Sequence, residues 1–185
     1  MAKMKDNNAT FGIRGKVNQL VYSQRNGETV VSKPPIRTAP LSEAQKSITY
    51  TFKQAVLYAR SILQDAAIKL AYKKKAKRGQ SPFNLAVADF FKPPVIVSVN
   101  LDDLANQVGS KIIAMVTDNF RVEKVKVKIE KSDGGLIEEG NAVLQPDGLN
   151  WLYTTTTAIA NSNGNKVSVT ASDLPGNSIT EQKTI

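Results

Sequence analysis

The chain has 185 residues, 41% of them hydrophobic and 22% charged, enough apolar material for the core of one moderate domain or two small ones. It contains no Cys and no His. That removes disulfide frameworks, Cys- and His-based metal sites, thiol nucleophiles and every scheme that needs an imidazole. Carboxylates, Lys, Tyr and hydroxyls are what remain for chemistry, so the expectation is a protein that is not an enzyme and carries no cofactor.

The net charge of +9 is unevenly spread: residues 1–93 hold 17 basic and 5 acidic side chains, a balance of +12, and residues 94–185 hold 8 and 11, a balance of −3. Two regions with different surfaces follow. The opening residues 1–8 are polar and lack the apolar stretch of a secretory signal, and no run of about 18 apolar residues appears anywhere. The expectation is a protein without a membrane span, cytoplasmic or part of an assembled particle.

Residues 1–12 read as an arm. The runs Lys16-Val17-Asn18-Gln19-Leu20-Val21-Tyr22-Ser23 and Thr29-Val30-Val31-Ser32 flank Arg25-Asn26-Gly27-Glu28. Asn-Gly accepts positive φ at both central positions of a type I′ turn, so a β-hairpin is predicted at about 16–32. A two-stranded hairpin is marginal alone and needs a partner sheet. Val17, Leu20, Tyr22, Asn26, Gly27 and Val30 are therefore its candidate assembly residues. Pro34, Pro35 and Pro40 stop the pairing and hold the link extended.

Ser42-Glu43-Ala44-Gln45 is a capping box, in which the Ser42 hydroxyl meets the Gln45 amide and the Gln45 side chain reaches back. Behind it Ile48, Phe52, Ala55, Ala59, Ile62 and Ala66 recur at alternating spacings of four and three, one apolar stripe on a helix. The spacing predicts a helix from 43 to at least 64, extending toward Ala76. Its stripe is a candidate packing face toward the hairpin, a second helix or another subunit. Lys73-Lys74-Lys75-Ala76-Lys77-Arg78-Gly79 follows. It reads either as a helix C-terminus, where cations suit the macrodipole and Gly closes the helix, or as a phosphate-binding patch of Lys73, Lys74, Lys75, Lys77 and Arg78. Ser81-Pro82 starts another helix with Leu85, Val87, Ala88 and Phe91 on its apolar side. Lys92-Pro93-Pro94 ends it and marks the boundary between a basic hairpin-helix domain, 1–93, and a second domain, 94–185.

From Val95 the period becomes two. Val95-Ile96-Val97-Ser98-Val99 is a first strand, and residues 111–117, apolar on both faces, form a central one. Val125, Val127 and Ile129 alternate with Lys124, Lys126 and Lys128, inside against outside. One or two strands follow over 136–144, then Trp151 and Tyr153 on one face, then Val167, Val169 and Ala171, then residues 178–185. Turns fall at Asp133-Gly134-Gly135, Pro146-Asp147-Gly148, Asn163-Gly164 and Pro175-Gly176-Asn177. Seven or so short strands with turns about every ten residues predict an antiparallel β-sandwich. The fold class is thus α+β, with an N-terminal β-hairpin plus α-helices and then an all-β sandwich. Asp102, Asp103, Asp118, Asp133, Asp147 and Asp173 sit at predicted loops. Asp suits turns by bonding its own backbone, and no twelve-residue calcium loop is present. Glu138 and Glu139 face opposite ways on a strand and do not share a substrate.

The segment Ala114-Met115-Val116-Thr117-Asp118-Asn119-Phe120-Arg121-Val122, with Trp151-Leu152-Tyr153-Thr154 and Val169-Thr170-Ala171-Ser172-Asp173-Leu174-Pro175-Gly176-Asn177, resembles bacterial immunoglobulin-like domains over about 90 residues. The resemblance implies an adhesive or scaffolding module and names no ligand. Gly15-Lys16-Val17, Tyr22, Arg25-Asn26-Gly27, Pro34, Ser42-Glu43-Ala44-Gln45 and Gly79-Gln80-Ser81-Pro82-Phe83-Asn84 are similar to a group of uncharacterised bacterial proteins with no assigned activity. Together these features lead to the expectation of a structural protein that forms homo-oligomers, as in a virion or filament, with the N-terminal half as anchor. Nucleic-acid binding by the basic half is the alternative, and no small-molecule substrate is evident.

Overall fold

The computed structural model describes residues 2–4, 12–25, 28–34, 36, 39–104, 106–159 and 164–185. Among them lie three helices and three four-stranded antiparallel sheets, an α+β arrangement. The chain divides into two compact units, Met1–Ser47 and Ile48–Ile185.

In the first unit β1 (Ala2–Met4), β2 (Gly15–Val17), β3 (Leu20–Arg25) and β4 (Glu28–Ser32) form a sheet in the order β1-β4-β3-β2. β3 and β4 pair antiparallel from Val21 opposite Ser32 to Arg25 opposite Glu28. The predicted turn residues Asn26 and Gly27 lie outside the described residues. The run expected as one strand over 16–23 is split in two. Val17 pairs with Leu20 across Asn18-Gln19, and Asn18 sits at φ 52. The short polar side chain of Asn tolerates that left-handed conformation better than most residues.

The division between units falls within α1 (Glu43–Ile62). Its capping box forms as the sequence requires: Gln45 N donates to Ser42 Oγ at 3.3 Å and Ser42 N donates to Gln45 Oε1 at 3.1 Å. The helix stops at Ile62, short of the expected 64. Asp65 accepts from Ala67 N at 2.7 Å and Ile68 N at 3.1 Å and so caps a new helix, α2 (Ala66–Lys75). A carboxylate that satisfies the first free amides of a restart competes with continuation of the old helix. α2 ends on an extended Ala76, and Gly79, at φ 82, lies beyond it rather than closing it. Ser81 Oγ accepts from Asn84 N at 3.1 Å to start α3 (Pro82–Phe90).

The strands of the second unit are β5 (Val95–Asn100), β6 (Lys111–Thr117), β7 (Val122–Glu130), β8 (Leu136–Asn141), β9 (Val143–Leu144), β10 (Asn150–Thr154), β11 (Lys166–Asp173) and β12 (Ser178–Thr184). They make two sheets, β5-β6-β10-β9 and β12-β11-β7-β8. Ile112, Ala114, Val116, Trp151 and Tyr153 from one sheet and Val125, Val127, Ile129, Val167, Val169 and Ala171 from the other share one core. Each large aliphatic buried there contributes roughly 1.5–3 kcal/mol relative to exposure. The period-two alternation puts the lysines of β7 outside, where Lys126 pairs with Glu139 at 2.8 Å and Lys128 with Glu130 at 2.7 Å.

The sheets are tied at both sides. β8 pairs with β7, and after Ala142 the same segment, as β9, pairs with β10, so one stretch of chain crosses between the sheets. On the other side the Lys183 ammonium donates to the Val99 carbonyl at 2.5 Å. A second cluster forms from Ala59, Tyr72, Leu85 and Ala86 of the helices together with Phe120 and Leu174. The last two come from loops of the two sheets, so strand-joining loops complete the helical core.

Candidate functional site

The predicted site residues do not form one patch. Lys73 and Lys74 are exposed in the last turn of α2, and Lys77 and Arg78 are exposed beyond it. Lys75 is exposed as well, but its amine donates to the Phe120 carbonyl. The predicted stripe on α1 is half used within the unit. Ala55 and Ala59 are fully buried and Ile62 is half-buried, but Ile48 is 70% exposed and Phe52 53%. Ala66, expected to continue the stripe, is exposed on α2, because the break at 63–65 resets the helical phase. Of the hairpin residues, Val30 is buried, Tyr22 half-buried and Val17 and Leu20 exposed.

The most developed polar constellation lies elsewhere, where α1, α2 and α3 meet two sheet loops. Tyr72 and Asp89 have no exposed surface. The Tyr72 hydroxyl donates to Asp89 Oδ2 at 2.7 Å and lies 3.3 Å from the Tyr58 hydroxyl. The Tyr72 ring stacks on Phe120 with centroids 3.7 Å apart. The Asn119 amide, oriented by its acceptors, donates to Asp89 Oδ1 at 2.9 Å and to Asp118 Oδ1 at 3.1 Å. Asn177 Nδ2 donates to the Phe90 carbonyl at 3.2 Å and to Asp173 Oδ2 at 2.8 Å, tying the β11–β12 turn to the end of α3. Burial pushes the Asp89 carboxyl up to about 7; the Tyr72 bond and Lys75 oppose this, and Asp118 and Asp173 add to it. Burial also raises the Tyr72 phenol well above its ordinary value.

Sequence reading passes over Asp89. Its one local signal is that it is the only charged residue of a short, mostly apolar helix, which is unusual for a fully buried position. The partners that explain it are remote in sequence.

Glu138 is buried too, in the sheets away from Asp89 and Asp173. Its carboxylate accepts from the Tyr153 hydroxyl at 3.1 Å, from Thr156 N and Oγ1 at 3.0 and 2.9 Å, and from Thr157 N at 2.8 Å. Burial works to raise its pKa, but these donors outweigh it and hold the group below the usual carboxylate range. Glu139 faces outward to Lys126, as strand alternation requires. Glu138 fastens the 154–157 segment to β8, and with all its acceptor capacity engaged it has no free oxygen for substrate chemistry.

An open cleft of about 340 Å³ lies between Lys75, Arg121, Val116, Leu144, Leu149 and Trp151. Both its cations are occupied, Lys75 by the Phe120 carbonyl and Arg121 by Glu123 at 2.9 Å. The loop aspartates serve turns. Asp133 accepts from Gly135 N at 2.8 Å, Asp147 from Leu149 N and Asn150 N at 2.9 Å each, and Asp118 from Phe120 N at 2.9 Å. Among the described residues no group of three or more acidic side chains is arranged to hold a metal ion. No described helix is long and apolar enough to cross a membrane.

No protein-family model matches the chain, and no curated protein matches it. Among solved structures, a crystal structure of an engineered protein is similar over 60% of this chain, at 17% identity and a TM-score of 0.34. The chain spans 30% of that protein's length, and a likeness this slight informs neither fold nor role.

Proposed function

We propose that the chain is a non-enzymatic structural or assembly protein. Its N-terminal half anchors it to neighbouring copies, and its paired sheets, read as an immunoglobulin-like sandwich, are displayed. The observation that carries this reading is the α1 stripe. Ala55 and Ala59 are buried within the unit, yet the same stripe continues outward with Ile48 and Phe52 largely exposed. Large apolar side chains in line with an already packed face suit a further packing partner. A virion component or a filament subunit fits this anatomy. Size-exclusion chromatography with light scattering tests it: the wild type forms a defined oligomer, and the double substitution Ile48→Ser, Phe52→Ser shifts it to monomer. A wild type that stays strictly monomeric at high concentration overturns the proposal.

The second reading is nucleic-acid binding through the basic half, favoured by the exposure of Lys73, Lys74, Lys77 and Arg78. Contacts of that kind are to phosphates and carry little sequence preference. A mobility shift at low salt, lost when these four are changed to Gln, supports it, and no shift at low salt disposes of it.

A further inference from the structure

Asp89 is a fully buried carboxyl group surrounded by four elements. Tyr58 faces it from α1, Tyr72 and Lys75 from α2, Asp118 from the β6–β7 loop, and Asp173 from the end of β11, while Arg121 of the β6–β7 loop acts on Tyr58. The two cations are held elsewhere, Lys75 on the Phe120 carbonyl and Arg121 on Glu123, and neither forms an ion pair with Asp89 among the described residues. The acids are not free to move apart. Asp118 is held by Phe120 N and Asn119, and Asp173 by Asn177 N at 2.6 Å and Asn177 Nδ2. Asn119 and Asn177 in turn bond α3, so the acids stand on opposite sides of the joint between the helices and the sheets.

The hydroxyl chain allows a proton to come and go without loss of a helix-to-helix bond. With Asp89 ionised, the chain runs Tyr58 to Tyr72 to Asp89. With Asp89 protonated, its own O–H donates to Tyr72, which donates to Tyr58, at the half-exposed end of the chain. Asp89 Oδ1 accepts from Asn119 in both states. What changes is the charge facing Asp118 and Asp173.

We propose that this joint is a proton-controlled latch, closed while Asp89 holds its proton and loosened when Asp89 gives that proton up beside Asp118 and Asp173. The direction of the Asp89 shift, from burial first and then from the two neighbouring acids, agrees with the geometry. The sign follows from linkage. Between the ordinary carboxylate range, about 4, and the raised value, about 7, the folded chain binds a proton that the unfolded chain does not. This group's contribution to stability is therefore full in acid, falls as pH rises through that window, and is flat above it.

Carbon-13 carboxyl NMR and thermal unfolding test this on the full chain. One Asp carboxyl should titrate near neutrality, and Asp118→Asn should lower its midpoint by removing a like charge. The wild-type Tm should fall by about 5 °C between roughly pH 5 and pH 8, while Asp89→Asn, a neutral isostere able to keep both hydrogen bonds, should lose most of that dependence. Hydrogen-exchange protection of α3 should fall over the same range in the wild type alone. Titration of Asp89 in the ordinary carboxylate range, or an Asp89→Asn variant with the full wild-type pH dependence, overturns the latch. If Asp89→Asn does not fold, the wild-type titration decides alone.

Discussion

Gly140 lies on β8 beneath the ring of Tyr153. A Cβ added there would stand 2.7 Å from Tyr153 Cε2 and 3.1 Å from its hydroxyl. The ring has little room to yield, since Tyr153 is 6% exposed and its hydroxyl holds Glu138 at 3.1 Å. One methyl group therefore acts twice, by overpacking and by straining a bond to a buried carboxylate. Gly140→Ala should destabilise the fold by about 1–3 kcal/mol. Trp151 is the only tryptophan and is buried in the same core, so its fluorescence during denaturant unfolding reads the change directly. A midpoint equal to the wild type's would show that the ring slides aside without cost. Gly140 carries no turn signal in the sequence, because its requirement comes from a side chain on another strand.

At the scale of elements, the lesson lies at residues 63–65. The apolar stripe is consistent with one helix from 43 to 76, and the amphipathic period alone contains no break. Asp65 makes the break by capping the amides of Ala67 and Ile68. Residues of its type compete with helix continuation wherever they can satisfy free amides. The restart turns α2 so that Tyr72 is buried against Phe120 and Asp89, while Ala66 is left in solvent. Asp65→Ala should cost about 1 kcal/mol, the usual value of an N-cap, and speed hydrogen exchange at Ala67 and Ile68. Unchanged exchange at those amides would mean that packing of α2, and not its cap, sets the restart. The turn aspartates follow the same local logic, and there the sequence is sufficient. Asp133 and Asp147 bond amides two or three residues ahead, as their neighbouring glycines suggest.

At the scale of the molecule, charge and apolar exposure lead to separable behaviours. Assembly through Ile48 and Phe52 is hydrophobic and should persist, or strengthen, as salt is raised. Binding of a polyanion through Lys73, Lys74, Lys77 and Arg78 should weaken steeply over the same range, since it works by counterion release. Light scattering and mobility shifts repeated across a salt series therefore distinguish the two readings in one preparation. The Tyr58–Tyr72–Asp89 chain stands apart from both. It joins three helices to loops of two sheets and responds to protons, so its effect on stability should be the same whether or not copies associate.

What the sequence determines by itself is local. Period-two alternation set the strands and put Val125, Val127 and Ile129 inward with Lys124, Lys126 and Lys128 outward, because alternation is a property of the extended backbone. The capping box and the Ser81-Pro82 start formed for the same reason, since their bonds span three residues. The Phe120 and Leu174 plugs, the stacking of Tyr72 and the acids around Asp89 were decided by tertiary structure. Asn177 reaches the Phe90 carbonyl across 87 residues, and Lys75 reaches the Phe120 carbonyl across 45. No spacing rule connects such positions. They meet only because two loops at one end of the paired sheets close over α2 and α3, and a buried carboxylate takes its properties from neighbours remote in the sequence.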